Sequence, residues 1–114
     1  MILSNTNNRT LHAEISIVPV GTSRTSISKE VAAAFDAIRK TKNIKTTVLT
    51  AMGTQIDASN MKSILNAIEA AHRAVKSTGA KRIISTIRIA ERLDASRTLQ
   101  REVESVTKKL SSQR

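Results

Sequence analysis

His12 and His72 are the only imidazoles in this 114-residue chain, and it has no cysteine. A histidine acts as a base only within hydrogen-bond reach of a nucleophile, and it works best when a carboxylate orients it. Neither histidine has a serine, aspartate or metal-ligand neighbour at useful spacing in the sequence. Zinc needs three or four ligands, and two isolated histidines without cysteine do not supply them. The missing cysteines also exclude a thiolate nucleophile and a disulfide framework. Neither the P-loop pattern G-x-x-x-x-G-K-S/T nor the dinucleotide pattern G-x-G-x-x-G occurs. The residues therefore predict no catalytic group, no metal and no cofactor.

Polar groups that could hold a ligand fall in three places. Residues 19–28, PVGTSRTSIS, bring Gly21, Thr22, Ser26 and Ser28 to a predicted helix N-terminus, where free N–H groups favour an anion or a polar ligand. The same hydroxyls would also serve as caps and turn residues. Residues 51–57, AMGTQID, place Gly53 in a turn with Thr54 and Asp57 beyond it. Asp57 reads as a rim carboxylate or as a cap for the following helix. Finally, Glu14 and Arg88 are expected opposite one another on neighbouring strands, as a cross-strand ion pair or a ligand-orienting one.

These groups need a scaffold, and the hydrophobic periodicity supplies one. Residues 11–20 alternate, with Leu11, Ala13, Ile15 and Ile17 on one face and His12, Glu14, Ser16 and Val18 on the other, which predicts a half-buried strand. Ser28 is the expected N-cap of a helix running to about Lys42, with Val31, Ala34, Phe35 and Ile38 as its stripe. Ile44–Met52 and Thr54–Asp57 predict two strands around Gly53. A helix from about Ser59 to Ser77 carries Met61, Ile64, Leu65, Ile68 and Val75, and Gly79 follows as its C′ residue. Arg82–Ala90 predicts a fourth strand, with Ile83, Ser85, Ile87 and Ile89 on one face and Ile84, Thr86 and Arg88 on the other. Beyond Asp94, Leu99, Val103, Val106 and Leu110 predict a last helix. Two βαβ units joined by a hairpin make an α+β, ferredoxin-like βαββαβ sandwich with an additional C-terminal helix. It is expected as one domain over 11–112, preceded by a flexible segment 1–10. Helices cover one sheet face. The other carries Glu14, Ser16, Thr86 and Arg88 among apolar residues, which suits a subunit interface or a ligand floor.

Composition narrows the partners. Hydrophobic residues make up 39% of the chain and Phe35 is the single aromatic, so the core is aliphatic and would gain from oligomerisation. A formal charge of +10 raises the expectation of a polyanionic partner. Sheet-based readers of single-stranded RNA stack bases on aromatic side chains, and the predicted strands hold none, so nucleic acid is disfavoured. No apolar run approaches a membrane span, and the first ten residues lack a signal-peptide core, so a cytoplasmic protein is expected.

The stretches AEISIVPVGT with SIS, MGTQID and RIISTIRIAERLDASR resemble the thiamine-binding-protein family of small ferredoxin-like domains, from about Ala13 to Leu110. The resemblance implies the same βαββαβ fold with a trailing helix, assembly into dimers or tetramers, and no catalytic activity. Some relatives bind thiamine or its hydroxymethylpyrimidine part. The matching positions here are Pro19, Gly21, Thr22, Ser26 and Ser28, then Met52, Gly53, Thr54 and Asp57, then Thr86, Arg88, Arg92 and Asp94. Two departures are Ala90, where relatives often have an acidic residue, and Asp57, where glutamate is common.

Overall fold

A computed structural model describes residues 10–94 and 97–112. The expected N-terminal segment, Thr10 apart, lies outside the described residues. The elements run β1 (Leu11–Pro19), α1 (Ser28–Arg39), β2 (Ile44–Leu49), β3 (Thr54–Ala58), α2 (Met61–Ser77), β4 (Ile83–Glu91) and α3 (Leu99–Ser111). The four strands form one sheet in the order β2-β3-β1-β4, with every neighbouring pair antiparallel. This is the ferredoxin-like α+β fold with a C-terminal helix.

The alternation of β1 is fully expressed. Leu11, Ala13, Ile15 and Ile17 are buried beneath the helices together with Ile56 and Ala58 of β3. From above, α1 contributes Ala34 and Ile38, and α2 contributes Ile64, Ala67, Ala71 and Val75. The expected α2 stripe is only partly right, because Met61 and Leu65 are 40% and 54% exposed while Ala67 and Ala71 are wholly buried. Small side chains let the helix approach the sheet closely, and that requirement overrides hydrophobicity in choosing the buried face.

The ends of the elements carry the remaining differences. Ile27, not Ser28, is the N-cap residue of α1, and no side chain caps it; Ser28 is the first helical residue, and its N–H donates to the Ser26 hydroxyl at 3.4 Å. The helix stops at Arg39, and Asn43 turns the chain with φ +69°. β2 ends at Leu49, before the expected Met52, because Thr50 takes over the chain. Its N–H and hydroxyl both donate to the Gly53 carbonyl, at 2.9 and 2.8 Å, which closes a tight turn. A register shift between Ile44 and Thr46 leaves Lys45 as a bulge on edge strand β2. For α2 the cap is Asn60, whose side-chain oxygen accepts the Ser63 N–H at 2.9 Å. Gly79, with φ +99°, follows the last turn as expected.

Glu30, in the first turn of α1, is only 2% exposed, and its Oε2 accepts from Arg24 Nη2 at 2.6 Å. Burial pushes its carboxyl up, but hydrogen bonds from its own backbone and from Arg24, with the charges of Arg24 and Lys29, outweigh that and hold it below its ordinary 4.5. A carboxyl depressed by folding contributes stability above its unfolded value and loses it as pH falls through the folded one. Below pH 4.5 the melting temperature is therefore expected to fall more steeply in the wild type than in Glu30→Gln. Parallel melting curves against pH would show that Glu30 is not the group responsible.

Candidate functional site

The hairpin turn 50–54 folds back over the start of α1. Between them and the inner face of β1 lies a cavity of about 190 Å³, lined by Ile15 to Val18, Ile27, Val31, Ala34, Ile38 and Thr50 to Thr54. Its walls are aliphatic, and its side-chain polar groups are the hydroxyls of Thr50 and Thr54; Ser16 borders it with its side chain on the other sheet face. Gly53 is required there by packing. A side chain at this position would place its first carbon 3.0 Å from the Ile15 carbonyl oxygen and 3.5 Å from Glu14 Cγ. The turn thus closes the cavity and brings its rim against Glu14.

Glu14 stands on the opposite, uncovered sheet face. It pairs in register with Arg88, their side chains 3.7 Å apart, and accepts the Gln55 amide at 3.2 Å. The carboxylate therefore sits between the Gln55 amide and a largely exposed guanidinium. His12, Gln55, Arg88, Ala90 and Leu99 line with it a second hollow of about 250 Å³.

The other expected site residues do not join one cluster. Thr22 lines a separate hollow of about 200 Å³ with Ser23, Arg24, Glu30, Thr78, Gly79 and Ala80. Gly21 turns the chain with φ +82°, and Ser26 and Ser28 bond to each other at 3.1 Å on the surface. Thr86 lies exposed on the uncovered face, paired with Ser16.

Asp57 is held in the interior at 1% exposure. His12 Nδ1–H donates to its Oδ1 at 2.7 Å, and the Leu99 N–H reaches both oxygens at 3.1 Å. It thus caps α3, not the helix that follows it in the chain. The histidine neighbours missing from the local sequence arrive through the fold: His12 finds Asp57, and His72 Nε2 meets Ser85 Oγ at 3.0 Å. The two pairs lie on opposite faces of the sheet. One has a carboxylate and the other a hydroxyl, so they cannot combine into a nucleophile, base and orienting acid.

Comparison with known proteins agrees with this fold. The profile of the family described as "Thiamine-binding protein" matches residues 13–107. A UPF0045 protein of Methanothermobacter thermautotrophicus is 40% identical over 98 residues, covering 86% of this chain and 97% of the relative. A hypothetical protein of Methanocaldococcus jannascii superposes with a TM-score of 0.76 at 32% identity, covering 87% of this chain and 97% of that one. A Thermotoga maritima protein provisionally assigned to thiamine biosynthesis/salvage shares the fold, with a TM-score of 0.69 at 15% identity and coverage of 85% and 98%. The chain belongs to the thiamine-binding protein family.

Proposed function

We propose that this protein is a non-enzymatic, oligomeric binder of a thiamine-type ligand, and that the pyrimidine ring enters the cavity between the 50–54 turn and α1. The observation that carries this reading is the convergence of the 50–54 turn with β1 and α1, far apart in the chain, on one aliphatic cavity with two threonine hydroxyls. Small-ligand sites combine apolar walls and a few orienting polar groups in this way. Size adds a constraint. At about 190 Å³ the cavity is below the usual range of whole-ligand pockets, so it takes one ring and leaves the rest outside. The methylpyrimidine end of thiamine fits that description. The thiazolium would then emerge over Gly53 toward Glu14, whose carboxylate offsets the unfavourable field of a chain with charge +10.

Calorimetric titration of thiamine, thiamine pyrophosphate and hydroxymethylpyrimidine at two salt concentrations tests this. Thiamine is expected to bind saturably, at one ligand per chain. Thr54→Val should weaken both thiamine and hydroxymethylpyrimidine by roughly tenfold, the worth of one hydrogen bond. Glu14→Gln should weaken the cationic thiamine and leave the neutral pyrimidine unchanged. Equal losses for both ligands in Glu14→Gln would sink the proposed orientation. No heat with any ligand would sink the thiamine-type assignment and leave an assembly without it.

A further inference from the structure

Beyond Leu99 at its start, helix α3 has no apolar packing partner among the described residues. None of its residues is buried, and Val103, Val106 and Leu110 are 64%, 59% and 61% exposed. A helix of 13 residues is marginal in water by itself and normally owes its persistence to packing of an apolar face. With Leu99, the apolar residues advance by four, three and four positions, the spacing of a two-stranded coiled-coil seam.

We infer that α3 pairs antiparallel with α3 of a second copy of this chain, which rests on the oligomeric part of the reading above and assigns its contact surface. The charges decide both occupant and direction. Glu102 and Lys109 flank the seam on the same side, one helical repeat apart. In an antiparallel pair centred between Glu104 and Ser105, Val103 packs against Val106 of the partner subunit and Leu99 against Leu110 of the partner subunit. Glu102 then lies beside Lys109 of the partner subunit, twice by symmetry, and Gln100 beside Thr107 of the partner subunit. In a parallel pair Glu102 would face Thr107 and gain no ion pair. Among the described residues Glu102 forms one side-chain ion pair, with the Arg97 guanidinium at a loose 3.7 Å, an exposed contact that a closer cation can replace. Two-fold pairing buries the same surface on both copies and closes on itself.

The chain has no cysteine of its own, so introduced ones report cleanly. Mild oxidation of a mixture of full-length Val103→Cys and Val106→Cys should give the mixed disulfide, and neither variant alone should cross-link. Self-cross-linking of Val103→Cys would mean a parallel pair and overturn the inference. In sedimentation equilibrium, Val106→Asp should weaken association at least tenfold. The domain should stay folded by circular dichroism, because α3 lends nothing to the core. Glu102→Lys should weaken association as well, and adding Lys109→Glu should restore it. An oligomer that survives Val106→Asp overturns the α3 seam alone and points to the uncovered sheet face. A monomeric wild type overturns the oligomeric reading too.

Discussion

Ile56→Ala is expected to destabilise the domain by about 4 kcal/mol, near the upper end for removing a buried isoleucine side chain. Ile56 is wholly buried in β3, which is hydrogen-bonded on both sides, to β1 and to β2. A strand pinned between two neighbours cannot shift to refill the space, so the loss of transfer energy is joined by that of an open cavity. Alanine is also a poorer strand former. The comparison that isolates these terms is Ile64→Ala in α2, equally buried. There alanine raises helix propensity by roughly 0.4 kcal/mol and the helix can settle toward the sheet. Urea unfolding should therefore place Ile56→Ala below Ile64→Ala, with a melting point about 16 °C below wild type. The reverse order would mean that β3 is not the rigid centre of the sheet.

One residue along, on the other face of the same strand, Asp57→Ala is expected to cost about 3 kcal/mol by a different route. Here little volume is lost. What is lost is the acceptor for two donors, the His12 ring at 2.7 Å and the Leu99 N–H at 3.1 Å. Each donor left unsatisfied in the interior costs about 1–3 kcal/mol. The damage should be uneven, because Leu99 is the first residue of α3. Amide exchange at Leu99 should accelerate sharply, while that of Ile15 and Ile56 should follow global stability alone. Asp57→Asn, which keeps an oxygen for the helix end, should recover part of the loss. A uniform exchange increase along the chain would show that Asp57 does not tie α3 to the sheet.

These two neighbours also show what could be read from sequence and what could not. The alternation of residues 11–17 marks which side chains face inward, because a strand has only two faces. From that pattern, the spacing of the helical stripes and the glycine turns, the order of elements and the fold class follow. The choice of Ala67 and Ala71 over Leu65 for the buried side of α2 is not local. It depends on how near the sheet lies. The role of Asp57 was invisible for the same reason, since its partners come from β1 and from beyond β4. The candidate site was half legible. Gly53 and Thr54 do border the cavity, whereas Thr22, Ser26 and Ser28 are carried elsewhere by the loop. Ile27 and Val31, which complete the cavity wall, look in sequence like ordinary core residues.

The bulge at Lys45 sets a limit on polymerisation. An antiparallel sheet has two free edges, here β2 and β4, and a chain able to pair through both could add copies without end. On β2 the ladder is interrupted and a lysine stands at the break, so an incoming strand meets misaligned amides and a charge that must be desolvated. The β4 edge has no such break, its nine residues paired without interruption along β1. Among the described residues β4 is then the more receptive edge, and growth through it alone would join two sheets and stop. Edge addition through β2 would require that strand to straighten first.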